Sequence, residues 1–335
     1  MKIVKDFELK EITTFHLPAR CAWFATYDSE DELRDLLAGE LCKTNKVMQI
    51  GGGSNLVFTS DFDGVILNTE ICHIDTISQP GDEVVLRVGS GVVWDDLVKF
   101  CVEHNYYGIE NMSYIPGKVG ASAVQNIGSY GAEVKDVITR VRTMCVADGS
   151  IRYFDNSECR YAYRDSIFKK ELKGKYIVTE VEYKLSTTPR FNLEYGPLKR
   201  LADLPDLTIA KVRDEIIAIR CAKLPDPKYV GSVGSFFTNP IVDRAFFEKF
   251  IEKHPDAPHY LLDDGRVKIP AGWLIEHSGL KGHRCGGAVV WEKQCLVIAN
   301  IDNALPDDVV RLYRFIIETV KDSFGVELVP EANII

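Results

Sequence analysis

Residues 114–131 carry four glycines, two serines, a glutamine, an asparagine and one charge, Lys118. Glycine lets a backbone run close to another body, and the Ser122, Gln125, Asn126 and Ser129 side chains exchange hydrogen bonds at short range. That combination suits a wall against which a large, flat, polar cofactor lies. A long glycine-rich surface loop is the bland alternative. Solvated loops carry more charge, however, and Ile115, Val119, Val124 and Ile127 ask for burial. Neither a helical nor a strand period survives across the segment, so no regular element is expected in it.

Gly51-Gly52-Gly53-Ser54-Asn55 follows the apolar run 46–50, as a phosphate loop would. It lacks the Gly-Lys-Ser/Thr ending of a P-loop. It is not a dinucleotide fingerprint either, because Leu56-Val57-Phe58 reads as a strand, not a helix. A row of backbone N–H groups can still cup a diphosphate, and a plain tight turn fits the five residues equally. Ser235 stands between Gly234 and Phe236-Phe237: a flexible approach, a hydroxyl, then a dry wall. No GxSxG frame or His/Asp partner accompanies it, so it does not read as a hydrolase nucleophile, and alone it is a turn serine. Arg164, in Tyr163-Arg164-Asp165-Ser166, could grip a carboxylate through two N–H groups. The hexamer by itself favours a surface arrangement with Asp165. Arg220 and Lys223 lie one turn apart at the end of a predicted helix, where they cap carbonyls or clamp a phosphate. Tyr195-Gly196-Pro197 is a turn or a mobile aromatic tip, and Glu331 reads as an exposed carboxylate. The seven histidines form no HxH or HxxxH pattern; His254, His259, Asp263 and Asp264 make only a loose cluster, and no metal site is assigned.

The elements that must hold these groups read as α+β. Strands are expected over 21–27, 46–50, 84–88 and 176–185, with a hairpin over 141–154 about the Asp148-Gly149 turn. Ser29-Glu30-Asp31-Glu32 is a capping box that opens a helix to about Ala38. Further helices are expected over 94–105, 209–222, 244–253 and 306–324, the last with a proline near its start and Gly325 after its end. Strand-like runs at 288–290 and 296–299 lie between the last two. Leu224-Pro225-Asp226-Pro227 is the best domain boundary.

A chain of 335 residues, 46% hydrophobic and without a low-complexity tract, implies about two or three globular domains. Its nine cysteines are scattered and form no CxxC pair, which reads as reduced thiols in a cytoplasmic protein. The first ten residues show no signal-peptide pattern, and no uncharged run approaches a membrane span. A net charge of −9 argues against nucleic-acid binding but leaves room for an anionic small ligand held by local cations.

In order along nearly the whole chain, the motifs resemble the UDP-N-acetylenolpyruvoylglucosamine reductase family, flavoenzymes of peptidoglycan precursor synthesis. The matching segments are Thr13-Thr14-Phe15, 51–55, Ile115-Pro116-Gly117, Gln125-Asn126-Ile127-Gly128 with Tyr130-Gly131, and 163–168. They continue with 223–227, Gly234-Ser235-Phe236-Phe237 with Asn239-Pro240, 271–275, and Pro330-Glu331. Tyr195 and the insert around it look like the family's longer form, in which a tyrosine loop closes over the substrate.

The resemblance implies a vanillyl-alcohol-oxidase-like FAD-binding fold in two subdomains, 1–68 (joined by the tail 326–335) and 69–222, with an α+β substrate domain over 223–325. It implies non-covalent FAD held by Gly51, Gly52, Gly53, Ser54, Asn55, Pro116, Gly117, Ser122, Val124, Gln125, Ile127, Gly128 and Tyr130. NADPH would be the co-substrate. Arg164, Ser235 and Glu331 take catalytic roles; Tyr163, Tyr195, Arg220, Lys223, Asn239 and Lys281 take the UDP-sugar. A monomer is the favoured state. Three positions depart from the family pattern: Ala123 for a common proline, Ser232 for a common asparagine, and Asn333 where a basic residue is usual. Two other functions stay open. One is an FAD-dependent alcohol or sugar oxidase of the same fold; many of those tether FAD to a histidine, which neither glycine-rich segment contains. The other is a non-catalytic UDP-sugar sensor, which would need neither Ser235 nor flavin.

Overall fold

Val65, Ile66 and Leu67 form an unbroken buried run, the mark of a strand flanked on both sides within a parallel sheet. Their strand, Phe62–Thr69, pairs in parallel with Arg20–Tyr27 on one side and Lys46–Ile50 on the other. Lys2–Glu8 completes this four-stranded sheet at the far edge of Arg20–Tyr27. The helix Glu30–Ala38 begins where the capping box predicts, with Ser29 accepting the Glu32 N–H. A second sheet is antiparallel, in the order Ile151–Asp155, Ile138–Cys145, Tyr176–Ser186, Glu83–Gly89, Ile74–Ser78. Leu33, Leu36 and Leu37 share a core with Met144 and Ile177 of that sheet. Above this core Glu30 receives two N–H bonds from Arg142, each 2.7 Å, and the Thr179 hydroxyl at 2.6 Å.

The computed structural model describes Met1–Ile335 and divides into two compact units. The first, containing both sheets, comprises Met1–Phe7, Cys21–Gly53 and Phe62–Arg220; the second comprises Glu8–Arg20, Ser54–Asp61 and Cys221–Ile335.

Residues 114–131 depart from the irregular segment expected. Val119–Gln125 is a helix, and Gly128–Ser129 then pairs with Ala132–Glu133. The helix has seven residues and buries Val119, Gly120, Ser122 and Ala123, so small residues point inward and no amphipathic period develops. Ser122 donates to the Val119 carbonyl and accepts from Tyr183 of the second sheet at 3.2 Å. Asn126, left-handed at φ 47°, ends the helix.

In the second unit, Gly231–Ser235, Val297–Asn300, Ala288–Val290 and Arg284–Cys285 form an antiparallel sheet in that order. Val309, Leu312, Ile316 and Val320 recur at helical spacing along Pro306–Phe324 and fill the same core as Ile298 and Val290. Gly325 closes that helix at φ 69°. Phe15, Leu17 and Val57, from early in the chain, belong to this core too. No helix of the chain is long and apolar enough to cross a membrane.

A Cβ at Gly231 would stand 2.3 Å from the Phe15 carbonyl oxygen, backbone that cannot rotate away. Gly231→Ala should therefore cost at least about 1–3 kcal/mol. Thermal unfolding followed by circular dichroism reads this directly; a wild-type melting temperature would show that the strand has room to shift.

Candidate active site

Two glycine turns meet in the first unit. A Cβ on Gly52 would lie 3.0 Å from the Gly117 Cα, and one on Gly51 would lie 2.9 Å from the Ala121 Cβ. Gly53 and Gly117 have positive φ, 61° and 129°, which only glycine takes without strain. The N–H groups of Gly52, Gly53 and Gly117 have no acceptor within the chain. A dinucleotide's diphosphate needs clustered N–H donors with no side chain in front of them, and the turns supply both. The residues thus fit the phosphate part of FAD. Beyond the turns, Ser122 and Val124 lie on the Val119–Gln125 helix, and Gln125 is its last residue.

Arg164, Tyr195 and Arg220, all expected site residues, meet the run 126–131. Arg164, itself at φ 55°, donates to the Asn126 carbonyl at 3.3 Å and the Gly128 carbonyl at 2.5 Å. Its guanidinium sits 5.1 Å from the Tyr163 ring, while Asp165 pairs with Lys170. The surface Arg164–Asp165 arrangement favoured by the hexamer is thus replaced by a guanidinium laid against the glycine-rich segment. Tyr195, 41% exposed, meets Tyr130 edge to face at 5.8 Å. Buried Asn111 roots the Tyr195 loop, donating to the carbonyls of both Tyr130 (2.9 Å) and Asn192 (2.8 Å). Arg220, on the helix Ile209–Lys223, donates to the Tyr114 carbonyl at 3.2 Å. Burial pushes the Tyr130 hydroxyl above its ordinary value, and Arg220 pulls it back down.

Sequence reasoning passed over the pair that fixes this geometry. Asp95 takes both Arg213 N–H groups at 2.7 Å and also the Tyr114 N–H at 2.5 Å. Tyr114 is left-handed at φ 62°, a conformation a tyrosine holds only when its surroundings impose it. No linear signal joins Asp95 to Arg213, 118 residues away.

In the second unit Ser235 ends its strand exposed, with fully buried Phe236 and Phe237 behind it. The last part of the chain runs along these residues. Glu331 N–H donates to the Phe236 carbonyl at 2.8 Å, and Thr238 N–H donates to the Val329 carbonyl at 3.0 Å. The backbone just after Ser235 is thereby joined to the Glu331 segment. Asn333–Ile334 pairs in parallel with Leu56–Val57, and Asn55 donates to the Glu331 carbonyl at 3.2 Å. Asn333, one of the departures, donates its amide to the Asn55 carbonyl at 3.3 Å. Buried Ser232 has its own backbone N–H and carbonyl engaged by Thr14. Asn239 accepts the Ala271 N–H, Lys281 pairs with Glu276 at 2.8 Å, and Lys223 is exposed, its carbonyl accepting from Trp291.

The profile of an FAD-binding domain matches residues 22–155, and that of the UDP-N-acetylenolpyruvoylglucosamine reductase C-terminal domain matches residues 226–335. Fold and profile together define an FAD-binding oxidoreductase with a further C-terminal domain. Similar proteins include UDP-N-acetylenolpyruvoylglucosamine reductases from Bacteroides fragilis, 46% identical over 99% of both chains, and Porphyromonas gingivalis, 44% identical over 100% of both. The crystal structure of the reductase from Thermus caldophilus shares the fold, with a TM-score of 0.69 at 23% identity over 99% of this chain and 98% of that one. The chain belongs to the UDP-N-acetylenolpyruvoylglucosamine reductase family.

Burial alone would raise the Asp95 carboxyl, but Arg213 and the Tyr114 N–H outweigh it and hold the group below its ordinary 3.8. A carboxyl lowered by folding stabilises the protein above its unfolded pKa, and that contribution is lost as pH falls through the folded value. Asp95→Asn should destabilise the protein by about 1.5–3 kcal/mol at neutral pH and flatten this acid limb. Melting curves taken from neutral to acid pH measure both; a mutant acid limb as steep as wild type would show that Asp95 does not supply it.

Proposed function

We propose that the chain is the NADPH-dependent flavoenzyme that reduces the enolpyruvyl group of UDP-N-acetylglucosamine enolpyruvate to UDP-N-acetylmuramate, in the cytoplasm. The reading divides the chain into 1–68 with 326–335, 69–222, and 223–325, the last taking the UDP-sugar. The observation that carries it is the backbone zipper that holds the Glu331 segment against the Ser235 strand. An exposed serine, backed by two buried aromatics, ends a strand whose following residues bond to the backbone of the Glu331 segment. None of the nine cysteines forms a disulfide, consistent with a reducing compartment.

Reduction of the enol ether adds a hydride at C3 and a proton at C2. Gly51, Gly52, Gly53 and Gly117 would hold FAD, which when bound would supply hydride transfer between NADPH and carbon. The chain's own residues deal with charge and with the proton. Negative charge at C2 spreads into the adjacent carboxylate, and Arg164, fixed by two carbonyls before substrate arrives, offsets it without reorganising. Ser235 delivers the proton to C2. A serine hydroxyl is a very weak acid, so it serves only a strongly basic carbon held in place. Glu331 assists when protonated or when donating through a partner, because a bare carboxylate would repel the developing charge.

Ser235→Ala separates these tasks. NADPH should still bleach the flavin absorbance of the mutant holoenzyme at close to the wild-type rate. Recovery of absorbance on adding the enolpyruvyl substrate should slow by at least about 10²-fold. Ser235→Cys, a stronger acid in nearly the same place, should restore part of the rate. Stopped-flow recovery in Ser235→Ala as fast as wild type would move the proton to Glu331.

The net charge of −9 means that local groups must hold the diphosphate of the UDP-sugar. Lys223→Ala should raise the KM for the UDP-sugar by about tenfold or more, the worth of one charge-assisted hydrogen bond. Tyr195→Phe should raise it too, by removing the hydroxyl of the lid. Unchanged KM values for both the UDP-sugar and NADPH in both variants would refute these assignments.

A further inference from the structure

Lys118 carries the only charge in residues 114–131, and its partners give it a role. It is half-buried and precedes the Val119–Gln125 helix directly. Its ammonium donates to the Asn68 Oδ1 at 2.8 Å and to the Thr69 carbonyl at 2.7 Å. Asn68 is buried and turns its amide N–H to the Gly51 carbonyl at 2.7 Å, which leaves Oδ1 for an outside donor. Lys118, Asn68 and Gly51 thus form a chain of hydrogen bonds from one glycine turn to the other. The Lys118 Cβ would also lie 3.6 Å from a Cβ on Gly51.

Both acceptors are neutral. An ammonium has three N–H groups, and the third has no acceptor in the chain. Burial lowers the Lys118 pKa below its ordinary 10.5, while Cys72 and Glu70 act the other way. A half-buried cation with no carboxylate bonded to it is costly unless something anionic arrives. A neutral side chain reaching the same amide would complete the hydrogen-bond chain without that cost.

We propose that Lys118 is a positioning residue for the flavin dinucleotide: it fastens the two glycine turns together through Asn68 and presents its remaining charge to the diphosphate. The inference rests on the reading that these turns hold FAD. It adds that the affinity of this chain for FAD has an electrostatic part carried by one lysine outside the cupping backbone.

FAD dissociation from diluted holoenzyme, followed by recovery of flavin fluorescence, gives the test. Lys118→Gln keeps a donor for Asn68 and loses the charge; Lys118→Met loses both; Lys118→Arg keeps the charge. The FAD Kd should rise by about tenfold or more in the Gln and Met variants. Raising the salt concentration should weaken wild type more than Lys118→Gln, because a screened charge no longer contributes. Lys118→Arg should stay close to wild type in both respects. Melting of FAD-stripped protein separates a structural role, and Lys118→Gln should melt like wild type there. Wild-type FAD affinity and salt dependence in Lys118→Gln would overturn the inference and leave the flavin reading standing. So would a loss of stripped-protein stability with unchanged FAD affinity. Wild-type protein that takes up no FAD would remove the reading underneath it.

Discussion

Gly52 and Gly117 let two stretches of backbone pass within touching distance, and much of the first unit is arranged to hold them there. Gly51 continues the Lys46–Ile50 strand of the parallel sheet. Gly117 is fixed from the other side, its carbonyl accepting the Trp94 N–H at 3.0 Å at the start of the helix Trp94–Glu103. The two sheets must therefore keep their distance to within tenths of an ångström. A shared core of Leu33, Leu36, Leu37, Met144 and Ile177 supplies bulk cohesion. Glu30, gripped by Arg142 and Thr179, supplies the direction that apolar contacts lack.

In the second unit the organising device is strand addition. Backbone hydrogen bonds give register without asking anything of side chains. Phe236 and Phe237 face the core, at 0% and 1% exposure, and leave Ser235 at the surface. The strand ends at Ser235, and the two aromatics that follow it both turn into the core.

Much of the secondary structure was legible in the sequence, because its signals are local. The Ser29 cap, the Asp148-Gly149 hairpin and the proline-to-glycine bracket of Pro306–Phe324 each name their own boundaries. The Val119–Gln125 helix was not legible: a short helix of small residues, packed close, carries no period. The parallel strand Phe62–Thr69 and the helix Ala271–His277 also gave no local cue strong enough to be named. At the site, residue types were legible and partners were not. Arg164 looked like a neighbour of Asp165 until the fold laid it on Asn126 and Gly128. Lys118 stood out as a lone charge, but Asn68 lies 50 residues earlier. Asp95 and Arg213 fall in two separate predicted helices, and nothing local pairs them.

The threading of the chain bears on its synthesis. Residues 8–20 and 54–61 belong to the second unit, yet the rest of that unit begins only at Cys221. Phe15, Leu17 and Val57 cannot reach their native core until then. At translation speeds of about 5–20 residues per second, they wait for roughly 10–30 s on the ribosome while the intervening chain is made. During that interval the nascent protein shows greasy segments with nothing to cover them. It is then a natural client for a holdase chaperone, and yield in a foreign host should follow chaperone supply more closely than native-state stability.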